Sequence, residues 1–556
     1  MATVARRIVE TLDAHGVDVA YCVPGESYLP VTDAFIDFPH MQLVVCRHEG
    51  GAGFMAVAHA RIRNQPGVCL VSRGPGAMNA AIALHVAYHD AEPVVFLVGQ
   101  VERDRLGRMA LQEMNYAKTF SDTAKLVIEV LDPEQVADSI ARAMRVSMAG
   151  TPGPVVVVLP EDVLYAECES LPAVPRSVPV ASLGPDEIAQ ARALIDSAQR
   201  PLVIVGGRMH GEAALGDLVR WAERDHLPIA PAHRRLHTFD SRHPLCAGRL
   251  PNRAPGPLIE RMRSTDLLIV LGERLGPSVS QGYTFPRAPV PDQKLIHVWP
   301  DPNELGRMWD PTLGVAVEPH QFVRAMLRAP SDSQHQASRT KWASSLNAVH
   351  RDLMTWSPVS ANDGVVFGRV VGEINGHLEP NAIVSYDAGN FTGWVNRYLH
   401  LGPANVFIGA TVGAMGASVP SGVAAGLSAP GRQIVSFVGD GGVLMTGNEL
   451  ATAVQYNVPL KLFIANNQAY GTIRMHQAKS FPGRVTSTAL RNPDFCAWGE
   501  AFGAKGIRVE RDADVADAVR DAFEHPGAVV VEVRTSLSHI SPAATLDQIE
   551  GAAKGS

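Results

Sequence analysis

The run "GDGGVLMTGNELATAVQYNVPLKLFIANNQAYGTI", residues 439–473, sets an acid and two amides at the ends of apolar stretches. "RQIVSFVGDGG" has the pattern of a strand closing in a glycine turn, "NELATAVQYN" of the following helix, and "PLKLFIANN" of the next strand. Strands of such a unit lie side by side or nearly so, and ligands bind beyond their carboxyl ends. Asp440 and Asn467, 27 positions apart, therefore share one edge. Gly439, Gly441 and Gly442 let backbone approach a phosphate closely. A P-loop would follow its glycines with Lys and Ser or Thr, whereas Val443 and Leu444 stand here. The negative charge then needs a bound cation. A carboxylate, an amide oxygen and a backbone carbonyl suit octahedral Mg²⁺, which would keep a water and take diphosphate oxygens. A bare GDG is as well explained by a tight turn; GDG ending one strand and NN ending the next favours the metal–diphosphate reading.

Other residues could do chemistry. Glu49 closes "LVVCRHE" just before the helical "GAGFMAVAHARI". An acid there is stabilised by the helix dipole by about 0.3–1 kcal/mol whatever else it does. "RGPGAMN", residues 73–79, is a second strand-to-helix glycine turn carrying Pro75 and Asn79. Gln112 in "ALQEMN" is equally a solvated helix-face amide. Arg274 ends the strand-like "VLGERLG"; its fork suits a carboxylate, and a surface ion pair would explain it nearly as well. His85 and His89 have the spacing of a zinc pair, but no Glu follows His85 and no third ligand is apparent. "VIVGGRMHG", residues 203–211, is half a nucleotide-binding turn with an incomplete glycine pattern.

Positioning these groups takes a large framework. At 556 residues the chain exceeds one core, and a domain size of roughly 150 residues predicts three or four units. Strand-like apolar runs alternate with helical patterns, predicting an α/β protein of three doubly wound parallel-sheet domains. The expected divisions are 1–170, a Pro-rich linker 171–185, a central domain 186–335, a polar linker 336–354, a third domain 355–545 and a tail 546–556. The first and third segments share one logic of strand, glycine turn and helix with polar groups at the turn. Composition, 46% hydrophobic and 19% charged, is that of an ordinary soluble globular protein, and a net charge of −7 argues against nucleic-acid binding. No apolar run approaches a membrane span of about 18 residues. Six cysteines without CxxC spacing predict buried free thiols and a cytoplasmic setting.

With "GDGG…NN" come "CRHEGGAGFMAVAHAR", "GPGAMNAAIALHVAYHDAEPVVFLVGQ", "GATVGAMGASVPSGVAAG" and "NPDFCAWGEAFGAKGIRV". Together these resemble the thiamine diphosphate-dependent acetolactate synthase family over nearly all of residues 1–545. The resemblance implies a pyrimidine-binding domain, a middle domain and a diphosphate-binding domain. It assigns the metal to Asp440, Asn467 and the carbonyl of Ala469. Gly389, Asn390, Gly439, Gly441, Gly442, Tyr470, Gly471 and Thr472 would lie about the diphosphate. Glu49 matches the glutamate that protonates the pyrimidine nitrogen, so that the cofactor's own amine can take up the thiazolium C2 proton. Met415 would prop the bent coenzyme, with Gly413, Pro75 and Asn79 near the pyrimidine and Gln112 facing the reactive carbon. Arg274 matches an arginine associated with the acceptor oxo acid. Several members hold FAD against the middle domain without using it for redox chemistry, and FAD stays open here on sequence alone.

One departure falls where substrate choice would be made. His476 stands where the biosynthetic acetolactate synthases carry a tryptophan that favours a longer acceptor. The resemblance thus implies a carboligase that decarboxylates a pyruvate-like oxo acid and adds the product to a second carbonyl compound. A decarboxylase or aldehyde lyase using the same coenzyme, or a non-catalytic binding protein on the same fold, are the alternatives. In the family Glu49 of one chain serves coenzyme held by another, which implies at least a homodimer and admits a homotetramer. A regulatory subunit is neither implied nor excluded.

Overall fold

Runs rich in Val, Ile and Leu, punctuated by Gly and Pro, form the strands of three sheets. The chain is described here from a computed structural model covering residues 1–332 and 334–554. The first sheet contains β1 (Val19–Cys22), β2 (Gln42–Val45), β3 (Gly67–Val71), β4 (Val94–Gln100), β5 (Leu126–Glu129) and β6 (Pro154–Pro160). Its order is β2-β1-β3-β4-β6-β5, and every pairing is parallel. The central sheet contains β7 (Pro201–Val205), β8 (Ile229–Pro231), β9 (Leu267–Leu271), β10 (Lys294–Val298) and β11 (Leu313–Val315), ordered β8-β7-β9-β10-β11. The third contains β12 (Ile383–Tyr386), β13 (Val406–Ile408), β14 (Ile434–Gly439), β15 (Leu460–Asn466), β16 (Lys505–Val509) and β17 (Val529–Arg534). Its order, β13-β12-β14-β15-β17-β16, repeats that of the first sheet. The inner strands β3, β4, β6 and β15 are buried along their whole length, as parallel strands covered by helices on both faces must be.

The helices that matter for the site are α1 (Glu49–Arg63), α2 (Gly74–Asp90), α3 (Gln336–Met354), α4 (Ser418–Ser428), α5 (Asp440–Thr446), α6 (Gly471–Ser480) and α7 (Leu546–Lys554). α1 carries no polar stripe: Gly50 through Ala60 are all buried. It lies between α2 and α4, so the first and third domains share one apolar core. Polar groups seal that junction. His59 Nδ1 lies 2.8 Å from Ser428 Oγ, and the Val45 amide donates to the Tyr456 hydroxyl at 2.9 Å.

The Pro-rich stretch after Cys168 has no helix or strand until Pro185 and is largely exposed, in keeping with a linker. The expected second linker, 336–354, is instead the whole of α3. Its polar residues turn inward. Arg339, 2% exposed, donates to the carbonyls of Ala198 and Asp225 at 3.0 and 3.1 Å. Trp342 Nε1 reaches the Pro201 carbonyl at 2.8 Å, and Asn347 and His350 also bond to backbone oxygens. Polar composition therefore hid a helix that caps the central domain. The expected tail is likewise mostly helix: α7 packs on α6 through Leu546 and Ile549 against Ala478 and Met475. All six cysteines are free, five of them buried.

Candidate active site

Gly439 pairs with Ala465 across β14 and β15, so Asp440 and Asn467 emerge together at the carboxyl ends of two adjacent strands. They open a cavity of ≈ 240 Å³. Thirteen of the positions singled out above line it together: Gly389, Asn390, Gly413, Met415, Gly439, Asp440, Gly441, Gly442, Asn467, Ala469, Tyr470, Gly471 and Thr472. Gly441 has no room for a side chain, since a Cβ there would lie 2.6 Å from the Tyr470 ring. Gly413, at φ +73°, makes a left-handed turn just before Met415.

Asp440 is 3% exposed. Burial raises its carboxyl to about 6, against bonds from the Asn492 side chain at 2.8 Å and the Gly441 amide at 3.0 Å that favour the charged form. A divalent cation would compensate the desolvated charge. Asn467 Oδ1 accepts from the Ala469 amide at 3.1 Å, curling the chain so that the Ala469 carbonyl belongs to the same turn. Thr472 Oγ1 is buried on the cavity wall without a hydrogen-bond partner among the described residues. A buried, unsatisfied hydroxyl beside a glycine-lined cradle fits an oxygen-rich ligand.

Asp387, which sequence reasoning passed over, follows β12 and is fully buried. Its carboxylate accepts from the amides of Gly416 and Ala417 at 2.8 and 3.3 Å and lies against Gly442. It therefore ties the Met415 turn to the GDGG turn.

The N-terminal group forms a second cluster. Asn79 Nδ2, from α2, donates to Glu49 Oε2 at 2.9 Å, while Pro75 opens the first turn of α2. The Gln112 carbonyl accepts from the Gly74 amide at 3.1 Å, which places Gln112, at φ +65°, beside the same turn. Met78, Ile82, Met109 and Leu111 are exposed around this cluster. Glu49 does not line the cavity of Asp440 in its own chain.

Glu449 joins the two halves and was also missed. It is fully buried and accepts from the amides of Arg47 and His48 at 3.0 and 2.9 Å. A Cβ on Gly51 would collide with the Glu449 carboxylate, so the glycine of α1 makes room for the acid.

Other expected residues separate. Arg274 lines a different cavity in the central domain. It donates to the carbonyls of Tyr88 and His89 and lies 5.5 Å from the Trp299 ring centre. The glycine turn of 203–211 borders that cavity through Gly207, with the Arg235 guanidinium packed across it. His476 lines a third cavity, which shares Gly389, Asn390 and Thr472 with the first. His85 and His89 are exposed neighbours on α2, 4.5 Å between ring centres, and belong to no metal-like cluster among the described residues.

Three family descriptions match along the chain: "Thiamine pyrophosphate enzyme, N-terminal TPP binding domain" over residues 2–119, the central domain over 188–326, and the C-terminal TPP binding domain over 387–533. An acetolactate synthase of Mycobacterium bovis is 30% identical over 540 residues, covering 94% of this chain and 86% of the relative. The chain belongs to the acetolactate synthase-like family of thiamine diphosphate enzymes. The acetolactate synthase large subunit of Corynebacterium glutamicum is 29% identical over 534 residues, 94% of this chain and 85% of its own. The isozyme 1 large subunit of Escherichia coli is 28% identical over 546 residues, 96% and 94% of the two chains. In this acetolactate synthase-like chain the matched N- and C-terminal domains are thiamine diphosphate-binding domains, and they contain the Glu49 cluster and the Asp440 cavity respectively. Among the described residues no helix is long and apolar enough to cross a membrane.

Proposed function

We propose that this chain is a Mg²⁺-dependent carboligase. It would remove CO₂ from a pyruvate-like 2-oxo acid and join the remaining acyl unit to a second carbonyl compound. Thiamine diphosphate, when bound, supplies the nucleophilic carbon and the electron sink for that chemistry. Asp440, Asn467 and the Ala469 carbonyl would hold Mg²⁺ against the diphosphate, with Thr472 and the glycines of 441, 442 and 471 lining the phosphate oxygens' side. Met415 supplies an apolar wedge on the same cavity wall. Glu49, oriented by Asn79, would present its carboxyl group as proton donor to the pyrimidine ring. Because Glu49 is outside the Asp440 cavity of its own chain, the reading pairs two copies, each supplying Glu49 to the other.

The observation that carries the reading is the third cavity. At ≈ 550 Å³, and walled in part by the same Gly389, Asn390 and Thr472 as the coenzyme cradle, it offers room for a second carbonyl compound beside the first. A simple decarboxylase needs only a proton at that point. The relatives' name, acetolactate synthase, points the same way. The test is to supply thiamine diphosphate, Mg²⁺ and a panel of 2-oxo acids and aldehydes, then identify products by mass spectrometry. Hydroxy-oxo products are expected; aldehyde and CO₂ alone, with every pair offered, would replace ligation by decarboxylation.

A further inference from the structure

The third cavity lies between the central-domain loop 251–256, α6 and the segment leading into α7. No Asp or Glu lines it. Its walls instead carry Arg249, Arg253, Arg397, His476 and Lys479, in a chain whose net charge is −7. The coenzyme's diphosphate does not account for these cations, because none of the five lines the cavity of Asp440.

Two of the five are structural. Arg249, 5% exposed, gives its two terminal nitrogens to the carbonyls of Asn396 and Leu399 at 2.7 and 2.6 Å. Arg397 donates to the carbonyls of Leu353 and Pro542 at 2.6 and 3.0 Å. Neither meets a carboxylate. Arg249 Nε, moreover, is buried with no partner. The other three are Arg253, His476 and Lys479. Burial, followed by the charges of Arg253 and Lys479, lowers the pKa of His476, so both cations lie within electrostatic reach of that imidazole. Arg253 and Lys479 form no ion pair among the described residues. Arg253 and Lys479 thus leave two positive charges beside an acid-free wall, and an anion bound there would be attracted to both.

We propose that this cavity receives a carbonyl substrate bearing an additional anionic group, carboxylate or phosphate, remote from its reacting carbon, with Arg253 and Lys479 as the groups that recognise it. The assignment rests on the carboligase reading for its place in the reaction, as the second carbonyl compound, but its chemistry stands on the cavity alone. The remote anion would sit at the mouth, and its carbonyl end would point past His476 toward Asn390 and Thr472, where the two cavities meet.

Calorimetry with unreactive ligands separates the two ideas. The full chain, loaded with thiamine diphosphate and Mg²⁺, is titrated with glutarate against pentanoate and with glycerol 3-phosphate against glycerol. At least one anionic ligand is expected to bind ten or more times tighter than its matched partner, and which one identifies carboxylate or phosphate. Arg253→Ala with Lys479→Ala should reduce that ratio to near one, and Arg253→Lys should largely keep it. Equal binding within both pairs, or a ratio that survives the double substitution, overturns the proposal. Release of CO₂ from pyruvate is followed separately: its absence would sink the carboligase reading while leaving the binding ratio to decide the cavity.

Discussion

The carboxylate of Glu449 accepts the backbone amide of His48 at 2.9 Å, one residue before Glu49. It binds the Arg47 amide at 3.0 Å as well, and its other oxygen takes the Thr452 hydroxyl at 2.6 Å. An acid of the C-terminal domain thus fixes the backbone that carries Glu49 in the N-terminal domain. Glu449→Ala leaves buried donors without an acceptor, at a cost of about 1–3 kcal/mol each. We expect lower stability in denaturant and a fall in turnover larger than the fall in coenzyme affinity. Glu449→Gln keeps an acceptor oxygen and should recover most of both. Full turnover in the alanine variant would deny Glu449 a positioning role.

Glu49→Gln keeps the size of the side chain and its bond from Asn79 while removing the exchangeable proton. Coenzyme affinity should stay within a fewfold of the parent, and turnover should drop by about 100-fold or more. Calorimetry and initial rates check the two quantities on one preparation. Parental turnover would remove Glu49 from the chemistry.

Asp440→Ala should abolish Mg²⁺-dependent binding of thiamine diphosphate, read by titration with and without the metal. Unchanged affinity would refute the metal assignment. Co-expressing this variant with Glu49→Gln tests the pairing of copies, because a mixed pair keeps one site with neither substitution. Turnover should rise well above that of either variant alone. If it does not, each chain completes its own site.

Burial pushes the carboxyl of Asp387 up to about 6, although the Gly416 and Ala417 amides bond its charged form. A pKa raised on folding contributes stability below the unfolded value near 4, and that contribution is lost as pH rises through 6. Asp387→Asn removes the slope. Between pH 4 and pH 7 the unfolding free energy of the variant should gain about 2 kcal/mol on the parent. Denaturant unfolding of protein free of coenzyme and metal measures the difference, and parallel pH profiles would contradict it.

The cradle was legible because its signals are local: glycines, an acid and amides placed where apolar runs stop. The parallel sheets were legible for the same reason. Asp387, Glu449 and Asn492 were not. Each is a single polar residue whose partner lies far off in sequence, as with Glu449 and His48, 401 positions apart. α3 was hidden because Arg339, Asn347 and His350 look like surface residues until the carbonyls that satisfy them are in place. Arg274, matched to an arginine associated with the acceptor oxo acid, lines the central-domain cavity that Trp299 also borders.

The repeated strand order has a cost in redundancy. In the third sheet the residue leaving the third strand is Asp440 and the one leaving the fourth is Asn467; in the first sheet the equivalents are Ser72 and Val101. One architecture occurs twice, but at these positions only the third sheet carries a carboxylate and an amide. If these two hold the metal as proposed, damage at either Asp440 or Asn467 meets no second acid or amide at the matching strand ends of the twin domain, where Ser72 and Val101 stand.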